Sequence, residues 1–182
     1  ALCKGGLPVA EVTFRTDAAE ESIRIMKKVF PDMLVGAGTV VNAVQAQKAL
    51  DAGASFLVSP GTNREVIEFA IAHEIPIFPG CCTPSEVMTA MGYGLEVVKF
   101  FPAKQYGGLP AIKALAAPFP SMRFMPTGGV NQDNIQEFLS FDKIIAVGGS
   151  WMVKDSLIKE GKFDEIERLT AEAVALIEQG EK

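Results

Sequence analysis

One local pattern repeats along the chain and constrains its fold more than any other feature. A short β-branched or aromatic run ends in Gly, Pro or Thr; a capping residue follows, and a helical stretch then closes near Gly. The apolar runs begin near Val9, Leu34, Ser55, Ile75, Glu96, Arg123 and Lys143. That is a step of roughly 20–27 residues, the length of one strand–helix unit. Four helix starts have capping-box spacing, in which the first side chain accepts from an orphan amide and the fourth reaches back: Asp17 with Glu20, Asn42 with Gln45, Thr62 with Glu65 and Thr83 with Glu86. Pro84 takes a first helical position, where its missing N–H costs nothing. Gly53 and Gly92 read as helix stops.

Strands that are each followed by a helix should run parallel, with right-handed crossovers. Seven units exceed a flavodoxin-like sheet and approach the eight of an α/β TIM (β/α)8 barrel; an open doubly wound sheet is the rival. The stretch Ala1-Leu2-Cys3-Lys4-Gly5-Gly6 reads as the last turn of a helix with a glycine stop but no start. The expectation is therefore a single barrel domain over residues 1–182 whose first β-α unit is missing, leaving two unpaired strand edges.

Hydrophobic residues make up 48% and charged residues 21% of the 182, which suits a globular chain rather than a disordered one. No apolar run approaches the ~20 residues that span a bilayer, and no signal peptide is legible. A net charge of −5 with acids and bases interspersed argues against nucleic acid or an anionic membrane as partner. Three cysteines, two of them adjacent (Cys81, Cys82), and a single His make neither a disulfide framework nor a zinc site. The expectation is a cytoplasmic protein with no metal and no cofactor.

Ionisable residues inside strands need a reason. In Val9-Ala10-Glu11-Val12-Thr13-Phe14-Arg15, alternation puts Glu11, Thr13 and Arg15 on one face. In a barrel that face points inward; on an edge strand it would be a solvated Glu–Arg pair. Lys99 lies near the C-terminal end of Glu96-Val97-Val98-Lys99-Phe100-Phe101-Pro102-Ala103. Pointing into an apolar interior would lower its pKa and leave a neutral amine, a nucleophile towards ketones; the alternative is a snorkelling lysine or a structural ion pair. Lys143 precedes its strand, on the side of a barrel away from chemistry. The last two strands end in glycine pairs, Thr127-Gly128-Gly129 and Gly148-Gly149-Ser150. Barrels often bind phosphate with backbone amides at that position, although tight turns also need glycine. His73, at a helix end, suits the helix dipole. Trp151 could pack at a subunit interface or under a loop.

Two motifs, Gly6-Leu7-Pro8-Val9-Ala10-Glu11-Val12-Thr13-Phe14-Arg15 and Gly94-Leu95-Glu96-Val97-Val98-Lys99-Phe100-Phe101-Pro102-Ala103 running on to Gly107, resemble those of the KDPG/KHG aldolases. Gly36-Ala37-Gly38-Thr39-Val40, Ser59-Pro60-Gly61 and Phe78-Pro79-Gly80 also look like segments of that family, in the same order. The resemblance implies that Lys99 forms the Schiff base and Glu11 is the general acid/base. It implies that Arg15 and Thr39 hold the pyruvate carboxylate, that Pro60 and Phe101 line the methyl end, and that Thr127, Gly128, Gly129, Gly149 and Ser150 form the phosphate end. It further implies a metal-free homotrimer that yields pyruvate plus glyceraldehyde 3-phosphate or glyoxylate. The glycine loops favour the phosphorylated substrate, 2-keto-3-deoxy-6-phosphogluconate, over 4-hydroxy-2-oxoglutarate. The competing readings are a phosphate-binding barrel isomerase or synthase without a covalent lysine, and a catalytically inert assembly scaffold.

Overall fold

The computed structural model describes residues 1–180, which form two compact units: residues 9–101, and residues 1–8 together with 102 onward. In the first unit, strands and helices alternate as β1 (Val9–Thr13), α1 (Ala18–Val29), β2 (Leu34–Gly38), α2 (Ala43–Asp51), β3 (Leu57–Val58), α3 (Arg64–Ala72), β4 (Ile77–Phe78), α4 (Pro84–Gly92) and β5 (Val97–Phe100). The order β1-β2-β3-β4 follows the sequence and each neighbouring pair is parallel. β5 continues beside β4 through a parallel bridge between Gly80 and Lys99. Parallel pairing sends every strand's C-terminal end to the same rim, where successive βα turns cluster. Val35, Ala37, Leu57, Val58 and Val98 of the strands are wholly buried, as are Ile23, Ala46, Val66, Ile67 and Val87 of the helices.

Local chemistry accounts for where these helices begin. Thr83 and Glu86 form a full capping box, with Pro84 just inside the helix. Asn42 accepts from the Gln45 amide, but Gln45 reaches back one residue further, to the Val41 amide. The expected box at Thr62 is displaced: Asn63 caps α3 by accepting from Val66, and Thr62 donates instead to the Gly80 carbonyl. Asp17 makes no cap, because its backbone is already helical. Gly53 ends α2 at φ +90°, whereas Gly92 still belongs to α4 and Gly94, at φ +78°, makes the stop. His73 closes α3 with Nδ1 2.8 Å from the Phe69 carbonyl and its ring stacked on Phe69.

The second unit holds α5 (Gly108–Ala116), β6 (Arg123–Val130), α6 (Ile135–Leu139), β7 (Gly148–Gly149), α7 (Asp155–Lys159) and α8 (Phe163–Gly180). Ile112, Met122, Phe124, Ile135 and Ile166 form its core. The turn at residues 1–6 packs on α8: a Cβ on Gly5 would lie 2.6 Å from the Cβ of buried Thr170. The strand expected from Lys143 onward is interrupted. Phe124 pairs with Ile144, and β7 then resumes opposite Thr127 and Val130. The irregularity falls between those two residues, at Gly128 and Gly129, whose φ values of +95° and +79° break the strand geometry.

Candidate functional site

Lys99 is only 5% exposed. Its backbone is fixed from both sides by the end of β4, with the Lys99 amide donating to Pro79 at 2.9 Å and the Cys81 amide donating to Lys99 at 2.8 Å. Nζ lies 3.7 Å from Glu11 Oε1, an ion pair longer than a hydrogen bond. It also lies 5.0 Å from the centroid of the Phe101 ring. Burial pushes the Lys99 pKa down, because the charged form loses its hydration; Glu11 opposes the shift and the Arg15 guanidinium adds to it. A lysine in this setting gives up its proton more readily than one on the surface, which is what a nucleophilic amine requires.

The groups around Lys99 come from successive strand ends. Glu11 lies within β1, the terminal strand of its sheet; its side chain is 26% exposed, the rest of the residue more so. Arg15 does not share the strand face expected of it. β1 stops at Thr13, and Arg15 sits in the following turn with its amide on the Thr13 carbonyl. It is exposed, yet close enough for its charge to act on Lys99. Thr39 follows β2 with φ +57°, a left-handed conformation that a β-branched residue rarely adopts and that clusters at functional sites. Pro60 follows β3 and, with Val40, Val41, Ser59, Gly61, Thr62 and Asn63, lines a shallow hollow of ≈ 210 Å³. Phe101 follows β5, and its carbonyl accepts from Cys82 Sγ at 2.9 Å.

The neighbouring cysteines are not rival nucleophiles. Burial pushes the Cys81 thiol up to about 12 and raises that of Cys82 as well. Lys143 is occupied elsewhere, donating to the carbonyls of Phe119 and Pro120. Among the described residues, no group of three His, Cys, Asp or Glu side chains is placed to hold a metal ion, and no helix is long and apolar enough to cross a membrane.

In the second unit, Thr127, Gly128 and Gly129 occupy the end of β6, while Gly149 in β7 leads into Ser150. The absent side chains have specific uses. A Cβ on Gly148 would meet Thr127 Oγ1 at 2.5 Å, one on Gly149 would enter the Trp151 ring at 2.1 Å, and one on Gly129 would strike Lys104. Trp151 therefore lies over its own strand end. Thr127 Oγ1 is buried against Gly148 without a hydrogen-bond partner, a polar group left unsatisfied at the strand end. Three contributors to the first unit's site escape a reading of the sequence: the Gly80 contact with Lys99, the Cys82 bond to Phe101, and Gly38 beneath Glu11. The GAGT and PGCC stretches carry the signal, but only as glycine content.

A lysine set in apolar surroundings beside a carboxylate, at the C-terminal rim of parallel strands, defines the class: an α/β enzyme that works through a Schiff base. The chain belongs to the KDPG and KHG aldolase family, whose model matches residues 1–169. A KHG/KDPG aldolase of Escherichia coli K12 is 43% identical over 174 residues, spanning 96% of this chain and 82% of the relative. The solved KDPG aldolase of Legionella pneumophila, with pyruvate captured as a covalent carbinolamine, superposes with a TM-score of 0.90 at 41% identity, covering 93% of this chain and 82% of that one. The 2-keto-3-deoxy-6-phosphogluconate aldolase of Zymomonas mobilis ZM4, solved with 3-phosphoglycerate, gives a TM-score of 0.89 at 42% identity over 96% and 82% of the two chains. The neighbouring folds are thus TIM-barrel-like α/β proteins with parallel strands.

Proposed function

We propose that this protein is a class I aldolase that cleaves 2-keto-3-deoxy-6-phosphogluconate to pyruvate and D-glyceraldehyde 3-phosphate. The observation that carries the reading is the buried Lys99 amine with the Glu11 carboxylate 3.7 Å away, in a chain of an aldolase family. Lys99 attacks the C2 ketone, and loss of water leaves a protonated imine that serves as an electron sink. Glu11 takes the proton of the C4 hydroxyl, the C3–C4 bond breaks, and its electron pair enters the imine to form an enamine as the aldehyde departs. Glu11 returns a proton to C3, and water hydrolyses the imine to free pyruvate and Lys99. One carboxylate serves as base and then acid.

Arg15 supplies a planar fork for the substrate carboxylate, and Thr39 a hydroxyl whose place is held against backbone strain. Pro60 and Phe101 shape the methyl end. The left-handed turn at Gly128 and Gly129 beside Thr127, and the exposed backbone at Gly149 and Ser150, suit a phosphate. Cleavage of 4-hydroxy-2-oxoglutarate to pyruvate and glyoxylate is a second activity, favoured by the paired name of the E. coli relative. Residues 1–182 act as one catalytic domain of the TIM-barrel type with seven β-α units, in the cytoplasm and as a homotrimer; three free cysteines and exposed apolar side chains such as Val44 and Met88 fit those two settings.

The test is pyruvate release from each substrate. Wild type should turn over both, the phosphorylated one faster, and Lys99→Met neither. Glu11→Gln should still bind pyruvate but exchange its methyl protons slowly. Turnover by Lys99→Met would reject the covalent mechanism.

A further inference from the structure

Glycine recurs twice on one face of β2, at Gly36 and Gly38, and the two positions are used differently. Gly36 stands opposite Glu11 in the parallel register and Gly38 opposite Thr13. A Cβ on Gly36 would fall into the Phe56 ring, 2.1 Å from its nearest atom. A Cβ on Gly38 would fall 1.9 Å from Glu11 Oε1, 2.5 Å from Cδ and 2.6 Å from Cγ. Gly38 is buried, its carbonyl accepts from the Phe14 amide at 2.7 Å, and its φ lies outside the left-handed region. The backbone therefore does not require glycine there. It would welcome glycine at the next residue, φ +57°, where Thr39 stands instead. The missing side chain at position 38 is explained by the carboxylate that occupies its space.

We propose that Gly38 is a positioning residue for the acid/base: its bare α-carbon is the seat on which the Glu11 carboxylate rests, and this sets the 3.7 Å approach to Lys99. The proposal rests on the acid/base reading of Glu11. Any side chain at position 38 would lift the carboxylate off the strand. Imine formation, which needs the amine, would be spared, and proton transfer at C3, which needs the carboxylate in place, would suffer.

The experiment compares Gly38→Ala, Glu11→Asp, Glu11→Ala and the doubles Gly38→Ala/Glu11→Asp and Gly38→Ala/Glu11→Ala. Each is assayed for borohydride trapping of pyruvate, for exchange of pyruvate methyl protons into deuterated water by NMR, and for melting temperature. Gly38→Ala should trap pyruvate with a half-saturating concentration within about threefold of wild type but exchange methyl protons about tenfold more slowly or worse. Glu11→Asp withdraws Oε1 and Cδ, the two atoms nearest a Cβ at position 38, and leaves only Cγ, so alanine at position 38 should slow exchange by a smaller factor in the Gly38→Ala/Glu11→Asp double than in Gly38→Ala alone. Undiminished exchange in folded Gly38→Ala, or losses that simply multiply in the aspartate double, would overturn the proposal. Should Gly38→Ala fold poorly, melting decides. Gly38→Ala/Glu11→Ala should melt like Glu11→Ala, since the collision partner is gone. If alanine at position 38 lowers melting equally with and without Glu11, the Cβ collides with something else and the proposal fails. Normal exchange in Glu11→Gln would instead reject the role of Glu11 itself, a separate outcome.

Discussion

Substituting Gly80 by alanine should damage both the fold and the lysine, and the structure sets the scale. A Cβ there would lie 2.2 Å from the Pro60 carbonyl oxygen, 2.5 Å from its carbon and 2.8 Å from the Gly61 nitrogen. All three are backbone atoms, so no rotamer relieves the clash. Ordinary contact requires a separation greater by about 1 Å. Overpacking of a rigid interior costs about 1–3 kcal/mol, and a collision with main chain belongs at the upper end. Separating the strand ends also threatens the 2.9 Å bond from Thr62 Oγ1 to the Gly80 carbonyl, worth about 1 kcal/mol. A loss of about 3 kcal/mol corresponds to a fall in Tm of about 6–12 °C for a chain of this size. Because Gly80 is the bridge partner of Lys99, a displacement of about 1 Å should also slow pyruvate trapping by up to about 10²-fold. Circular-dichroism melting and borohydride trapping, the latter about 20 °C below the variant's midpoint so that the protein stays folded, read the two effects. A Gly80→Ala protein that melts within about 2 °C of wild type and traps pyruvate at the wild-type rate would refute the claim that this backbone approach holds the lysine.

Other substitutions and pH test different parts of the account. Burial lowers the Lys99 pKa, so between that lowered value and lysine's ordinary 10.5 the unfolded chain binds more protons than the folded one. Wild-type stability, measured by urea unfolding relative to Lys99→Met, should therefore rise with pH through that window; a flat difference would mean the ammonium is not desolvated. Thr39→Gly should relieve the left-handed strain and keep or raise Tm, by up to about 1 kcal/mol of stability, while weakening pyruvate binding. Unchanged binding would remove the Thr39 hydroxyl from the carboxylate site. Thr83→Ala deletes one half of the only complete capping box found among the four expected ones and should cost about 1 kcal/mol without altering trapping per folded molecule. A loss of trapping would show that α4 does more than support the rim.

Much of this molecule is legible in its residues alone. Helix-start chemistry and the regular step between apolar runs locate the strands, because capping and period are local and the sequence carries them directly. Lys99 and Glu11 stand out because charge inside a strand has no cheap explanation. What fails to show depends on neighbours distant in sequence. Thr62 has the spacing of a cap, yet its hydroxyl is claimed by Gly80, 18 residues on; Asn63 takes the cap in its place. Arg15 continues the alternation of β1 on paper, but the strand ends two residues earlier. The interruption of the last strand follows from two left-handed glycines in its partner β6, which no reading of residues 143–149 alone could reveal. At the site, the glycines of the GAGT stretch are recognisable as glycines, but what fills the space they leave is visible only in three dimensions.

Incubation with pyruvate and borohydride followed by peptide mass spectrometry bears most directly on the covalent chemistry at the heart of this account. One reduced pyruvyl adduct, on the peptide carrying Lys99, is the result predicted. A folded protein that acquires no adduct, or acquires it on another lysine such as Lys143, would contradict it.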